Sequence, residues 1–172
     1  NPLPALGHLA FSPNGLRLAA SGGNLAYQWD ITRGKLMATF SGHTAPIDSV
    51  GFSPVGDMLL TGGRDGFVRE WDTGTRQQVF SYPTLPGSVN PAAYSLDGSR
   101  VIAAWGEGLP TIWDAVALQE IEQLGADPRF PGHLNQISTV ALSPDGRLAL
   151  SADLDNVALL WDVATNKPLY RW

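Results

Sequence analysis

The sequence predicts an all-β protein built from four consecutive four-stranded antiparallel sheets. Two recurring markers and a regular spacing of turns carry that expectation. The dipeptide Trp-Asp stands at Trp29-Asp30, Trp71-Asp72, Trp113-Asp114 and Trp161-Asp162, with steps of 42, 42 and 48 residues between the tryptophans. Upstream of each lies a turn-bearing marker: Phe11-Ser-Pro-Asn-Gly15, Phe52-Ser-Pro-Val-Gly56, Tyr94-Ser-Leu-Asp-Gly98 and Leu142-Ser-Pro-Asp-Gly146. From the first residue of each marker to its Trp is 18, 19, 19 and 19 residues. Two markers that hold register four times define an internal repeat, and a repeat of this period constrains the fold before any single strand is placed.

The second unit shows how each repeat reads. Ile47 to Phe52 is short and apolar-rich, and Ser53-Pro54-Val55-Gly56 supplies Pro and Gly where a tight turn uses them. Asp57 to Thr61 is the next strand, closed by Gly62-Gly63-Arg64-Asp65-Gly66. Phe67 to Trp71 alternates apolar and polar residues, the period of a half-buried strand. After a polar turn, Gln77 to Phe80 makes a fourth. Turn signals every 8–12 residues leave no room for helices. A sheet this small cannot bury both faces alone, so its neighbours must stack on it.

Composition narrows the chemistry. The net charge is −5 and the eleven Lys and Arg residues are scattered, which argues against nucleic acid, since phosphate binding needs a basic stripe. The absence of cysteine excludes disulfides, thiolate metal sites and a cysteine nucleophile, and fits a cytoplasmic setting. No apolar run approaches a membrane span, and Asn1-Pro2-Leu3-Pro4 does not read as a signal peptide. No cofactor or metal is expected: Gly34-Lys35 lacks the spacing of a phosphate loop, and Asp97-Gly98 and Asp145-Gly146 are hairpin turns rather than calcium loops. A chain that opens without Met points to a trimmed or excised piece.

On its Trp-Asp and Ser-Pro-Asp-Gly markers the chain resembles the WD-repeat family over essentially its whole length. The resemblance implies the blades of a β-propeller, each with strands a to d ordered from the inside outwards. The blades fall at about residues 5–40, 46–82, 88–123 and 136–172. It also implies a hydrogen-bond relay of His, Ser or Thr, Asp and Trp within a blade. His43 and His133 each precede their Trp by 28 residues, Asp65 and Asp155 by six, and Thr61 and Ser151 by ten. The second and fourth blades thus carry His43–Thr61–Asp65–Trp71 and His133–Ser151–Asp155–Trp161. The third blade has Leu85, Ala103 and Glu107 at those positions. The first has Pro2 and Ala20, with Asn24 as the nearest polar substitute in a shorter turn. A His beside an Asp also suggests half a catalytic triad, but the hydroxyls fall mid-strand and an indole N–H only donates. The relay reads as structural. His8, in the first strand, reads as a core or channel residue.

The same resemblance places the b–c and d–a loops at one end of the blades, the family's top surface, and loops on a fixed scaffold carry function. Two departures from the repeat fall there. The 48-residue step adds about six residues near Gly125 to Pro131, where Arg129 and Phe130 sit between prolines as a stiff anchor. Alternatively Phe130 folds back over the third blade. Trp105 stands in the third b–c turn, where the other blades carry Gly63 and Asp153, as a partner anchor or as a lid on the missing relay. Arg64 occupies the neighbouring turn. The expected function is a non-catalytic scaffold that binds a protein or peptide on these loops. The alternatives are a propeller segment of a hydrolase or other enzyme, and a purely structural module. Four blades are few for a closed ring, so the chain is either half of an eight-bladed ring made by a homodimer or part of a longer propeller. In the paired form Leu9, Phe11 and Leu18 of one copy meet Leu148, Leu150 and Leu159 of the other, with Trp172 at the outer edge.

Overall fold

The computed structural model describes residues 4–82, 89–105, 109–125 and 132–172. Each repeat folds as one four-stranded antiparallel sheet with its strands in chain order. The first blade holds β1 (Leu9–Phe11), β2 (Arg17–Gly22), β3 (Leu25–Asp30) and β4 (Lys35–Ser41). The second holds β5 (Ile47–Phe52), β6 (Met58–Gly63), β7 (Val68–Asp72) and β8 (Gln78–Tyr82). The third holds β9 (Val89–Tyr94), β10 (Arg100–Trp105), β11 (Thr111–Asp114) and β12 (Gln119–Gln123). The fourth holds β13 (Ile137–Leu142), β14 (Leu148–Asp153), β15 (Ala158–Asp162) and β16 (Lys167–Arg171). No helix occurs among the described residues. The chain forms two compact units, Asn1–Val89 and Asn90–Trp172, of about two blades each.

The markers earn their recurrence locally. Ser12, Ser53, Ser95 and Ser143 each accept the backbone N–H five residues on through Oγ, closing the a–b turn. Each also donates to a nearby side chain: Asn14, Asp57, Asp97 or Asp145. The hydroxyls of Ser95 and Ser99, with the Ser99 N–H, hold the Asp97 carboxyl down at about 2. Gly15, Gly56, Gly98 and Gly146 complete these turns at φ of 70°, 80°, 73° and 67°, a region that favours glycine. The Asp of each Trp-Asp pair caps the c–d turn, as Asp72 does by accepting the N–H groups of Gly74 and Thr75. The residue five after each Trp is left-handed: Gly34, Arg76, Leu118 and Asn166.

One feature repeats that no residue type announces. In every blade the register between the last two strands slips by one at the residue before Trp, leaving Met37, Val79, Ile121 and Leu169 as bulges. Such bulges increase local twist. The relay blades carry a second slip between their first two strands, at Asp48 and Ser138.

Alternation along the strands gives each blade a face bearing Trp and an opposite face. In the first unit the Trp face of the second blade, with Val50, Phe52, Leu59 and Trp71, packs on Ala19, Ala26, Ala38 and Phe40 from the opposite face of the first. Phe40 lies 5.8 Å from Trp71, ring centre to ring centre. In the second unit Val140, Ala149 and Trp161 meet Ile102, Ala104 and Ile112 in the same way. An arginine at the same repeat position ties each pair. Arg17 Nη1 donates to Thr73 Oγ1 at 3.1 Å, and Arg100 Nη1 to the Gly146 carbonyl at 2.6 Å.

Gln28 breaks the apolar rule of these faces. It is wholly buried on the first blade's opposite face, and neither amide atom finds a hydrogen-bond partner among the described residues. Ile112 and Leu160 hold the equivalent position in the third and fourth blades. Burying an unpartnered amide costs about 1–3 kcal/mol. Gln28→Leu should therefore raise stability by about 1–2 kcal/mol, read as a higher urea midpoint with an unchanged slope. A fall in the midpoint would show that the amide is satisfied.

Three expectations change. His8 precedes β1 instead of lying within it, and its side chain is exposed, which excludes the core reading and is compatible with the channel one. Trp105 is the last residue of β10, as Gly63 and Asp153 end β6 and β14, rather than a turn residue; its side chain lies outside the described set. Leu159 is wholly buried in the second unit's core, so it is not available to a second copy.

Candidate functional site

Among the described residues, two relays and the loops beside them bring polar and titratable side chains together. In the second blade Trp71 Nε1 donates to Thr61 Oγ1 at 2.8 Å, and Thr61 Oγ1 lies 2.8 Å from His43 Nε2. His43 Nδ1 lies 2.8 Å from Asp65 Oδ1 and 2.7 Å from Arg69 Nη1. A ring nitrogen cannot donate to the carboxylate and also accept from the guanidinium. The tautomer with hydrogen on Nδ1 satisfies Asp65 and leaves Nε2 to accept from the Thr61 hydroxyl. Arg69 then has its hydrogen bond with Asp65 Oδ2 at 2.8 Å, an oxygen that also accepts the Thr44 N–H at 3.0 Å. Strand β6 supplies Thr61, β7 supplies Arg69 and Trp71, and the turn between them supplies Asp65. Arg69 is an addition that spacing did not signal, because Leu159 holds its place in the fourth blade.

The fourth blade carries the same chain with a different acid. Trp161 Nε1 donates to Ser151 Oγ at 2.9 Å, and Ser151 Oγ lies 2.6 Å from His133 Nε2. His133 Nδ1 then meets Asp153 Oδ2 at 2.8 Å. Spacing pointed to Asp155, and that reading is corrected. Asp153 ends β14 where the second blade has Gly63, so its carboxylate reaches the imidazole directly. Its other oxygen accepts the N–H groups of Asp155 and Val157, which fixes the turn. Asp155 instead accepts from Asn135 Nδ2 at 2.9 Å, a bond between exposed groups.

Electrostatics agree with a neutral imidazole in the second blade. Burial pushes the His43 pKa below its ordinary value and Arg69 pushes the same way, while Asp65 pulls it up without prevailing. Burial raises the Asp65 carboxyl, but the Thr44 N–H, the His43 ring and Arg69 outweigh it and hold it low. The unfolded chain therefore takes up the histidine proton first as pH falls. His43 contributes stability above about 6.5, the unperturbed value, and loses it as pH drops from there towards the lowered folded value. Unfolding in urea should show a lower midpoint at pH 5.5 than at pH 7.5, and His43→Gln should shrink that gap. A gap unchanged in the variant would assign the pH dependence to other groups.

Each relay has the order hydroxyl, imidazole, carboxylate, yet neither works as a nucleophile. Thr61 and Ser151 are wholly buried, and each hydroxyl oxygen already accepts an indole N–H. What the arrangement does is lock strand to turn. Blades one and three place Ala20 and Ala103, both buried, where the hydroxyls stand. Asn24 does not rebuild the relay and donates to the His43 carbonyl at 3.1 Å. Pro2, Leu85 and Glu107 lie outside the described residues. No cluster of metal-ligating side chains occurs among the described residues, and no helix is long and apolar enough to cross a membrane.

The d–a loop and b–c turn lie side by side in both relay blades, through Arg64 N–H to the Pro46 carbonyl and Leu154 N–H to the Gln136 carbonyl. Arg64 is exposed but not free: its Nε donates to Asp48 Oδ2 at 2.7 Å, on the bulge of β5. Arg129 and Phe130 lie outside the described residues. Two apolar residues that spacing did not single out project there, Leu134 at 71% and Leu154 at 60% exposure. Their signal in the sequence was a leucine in each loop where the second blade has Thr44 and Arg64.

Comparison with known proteins agrees with the repeat. The sequence model "WD domain, G-beta repeat" matches residues 34–72 and 127–162. The chain is 33% identical over 135 residues to WD repeat-containing protein SL1-17 of Schistosoma mansoni, covering 78% of this chain and 42% of that protein. It is 30% identical over 156 residues to the Periodic tryptophan protein 2 homolog of Schizosaccharomyces pombe, covering 81% of this chain and 18% of the relative. It is 28% identical over 155 residues to THO complex subunit 6 of Arabidopsis thaliana, covering 84% and 41%. The chain thus spans less than half the length of each of these relatives. With four Trp-Asp sheets, two intact relays and these matches, the chain belongs to the WD-repeat family.

Proposed function

We propose that this chain is a non-catalytic protein-interaction scaffold that binds a peptide or protein on its loop end, through Arg64, Trp105, Arg129 and Phe130. The observation that carries the reading is the exposure of Leu134 and Leu154 on the d–a and b–c loops of the fourth blade. Apolar side chains held out on loops above a hydrogen-bonded sheet are the anchors that interfaces use. A relative whose name marks it as a complex subunit supports the class of function. The buried relay hydroxyls support a non-catalytic role. Selection of a peptide library against the chain tests the site. Selected peptides should lose binding at least tenfold to the Arg129→Ala/Phe130→Ala and Leu154→Ser variants, with thermal midpoints nearly unchanged. Peptides that bind all variants equally, or a large drop in midpoint for the double variant, would overturn it.

A second reading concerns assembly, favoured by one asymmetry of burial. Trp71, Trp113 and Trp161 are wholly buried, but Trp29 is only half-buried. The reading is that two copies pair and contribute four blades each to an eight-bladed ring.

A further inference from the structure

We propose that Asn14 is a spontaneous modification site guarded by its own turn: when the first blade's a–b turn opens, the Gly15 backbone nitrogen closes on the side chain and converts Asn14 to aspartate. Asn14-Gly15 is the one Asn-Gly pair of the chain. Glycine favours the step because it has no Cβ to hinder the approach of its own nitrogen. That nitrogen gives up its proton to hydroxide and attacks the Asn14 side-chain carbonyl carbon. The carbon–nitrogen bond of the amide breaks, ammonia leaves with a proton from water, and a five-membered imide remains. Water then opens the imide, at the side-chain carbon to give aspartate or at the main-chain carbon to give a β-linked isoaspartate. The sum is one water in and one ammonia out, and the net charge becomes one unit more negative than −5.

The closed turn holds this reaction off. The Gly15 N–H donates to the Ser12 carbonyl at 2.9 Å, so the attacking nitrogen is already engaged. Asn14 Oδ1 accepts Ser12 Oγ at 2.8 Å and the Leu16 N–H at 3.0 Å, which fixes the side chain. All three bonds are made within residues 12 to 16, and the nitrogen cannot turn onto the side-chain carbon while they hold. The same turn also accepts the product. The third and fourth blades carry Asp97 and Asp145 at this place, each in the same pair of roles. Asp97 Oδ1 accepts Ser95 Oγ at 2.6 Å and the Ser99 N–H at 3.0 Å. Asp145 Oδ1 accepts Ser143 Oγ at 2.6 Å and the Arg147 N–H at 3.1 Å. Gly98 and Gly146 close those turns on the Ser95 and Ser143 carbonyls at 3.0 and 2.8 Å. An aspartate at position 14 keeps every bond and makes two of them charge-assisted. Asn14 also shares a cleft of about 360 Å³ with Arg17, Asp30 and Arg33, two cations against one acid, which favours a further carboxylate. The isoaspartate branch instead adds a backbone carbon between Ser12 and Gly15 and cannot close the turn.

Ageing in mildly alkaline buffer, followed by peptide mapping with mass spectrometry, tests this. The peptide holding Asn14 should gain one mass unit at least tenfold faster in guanidinium chloride than in the folded chain. Ser12→Ala removes the hydroxyl that pins Asn14 Oδ1 and should speed conversion in the folded chain several-fold. Ser143→Ala, the same loss in the fourth blade, should leave the Asn14 rate unchanged. Asn14→Asp, the product made directly, should unfold at a urea midpoint no lower than the wild type. Equal rates in the folded and unfolded chain, or in the two serine variants, would overturn the guard. Conversion that favours another asparagine in the unfolded chain would overturn the site. A lower midpoint for Asn14→Asp would show that the turn rejects the product, against its likeness to the turns of Asp97 and Asp145.

Discussion

Truncating Trp161 to alanine should cost the second unit about 3–5 kcal/mol, and Trp71→Ala should cost the first about as much. Both indoles are wholly buried between two blades, and both donate to the relay hydroxyl. Their loss removes the largest side chain of each interface and leaves that hydroxyl without its donor. Trp113 is as deeply buried, but Ala103 stands where the hydroxyl would be. Its truncation breaks no relay and should fall at the lower end of that range. Trp29 has one open side, so its truncation should cost about 1–2 kcal/mol in the isolated chain. Urea unfolding of the four single variants, followed by circular dichroism, gives the order directly. An order led by Trp29 or Trp113 would detach stability from the relays.

That order follows from an alternation partly legible in the sequence. The Trp-Asp and Ser-Pro-Asp-Gly markers predict sixteen strands because each marks a turn with a fixed hydrogen-bonding duty, and such local chemistry leaves its mark on residue type. Thr61, His43, Asp65 and Trp71 were legible for the same reason: buried polar groups tolerate few substitutes. The arginine ties were not. Arg17 and Arg100 look like any strand-edge cations until each is seen to reach a turn of the following blade, Arg17 through Thr73 after β7 and Arg100 through Gly146 between β13 and β14. The relay blades carry Met58 and Leu148 at that position, so the alternation has two parts, a tying blade followed by a relay blade. The c–d bulges were hidden too, because Met37, Val79 and Leu169 fit a regular strand equally well. Asp153 was missed because the relay was read by spacing alone. Two acids within three residues offer the same charge to one histidine, and only the strand end decides which reaches it.

The two acid placements predict the last and most discriminating result. A Cβ added at Gly63 would overlap His43 Nδ1 and lie 2.8 Å from Asp65 Oδ1, so nothing larger than glycine fits while Asp65 holds the ring. Gly63→Ala should therefore cost about 3 kcal/mol, since the ring and its acid must move and the pair is broken. Gly63→Asp alone should be no better, because it crowds two carboxylates around one imidazole. The double variant Gly63→Asp/Asp65→Asn rebuilds in the second blade what Asp153 does in the fourth, where the acid springs from the strand end and the turn residue is released. It should recover most of the loss, to within about 1 kcal/mol of the wild type, as coupled neighbours do in a double-mutant cycle. Thermal and urea unfolding of the three variants check this, with Asp65→Asn as the fourth corner. A double variant no more stable than Gly63→Ala would mean that Arg69, which pairs with Asp65 here and has only Leu159 as its counterpart, ties this relay to its own acid.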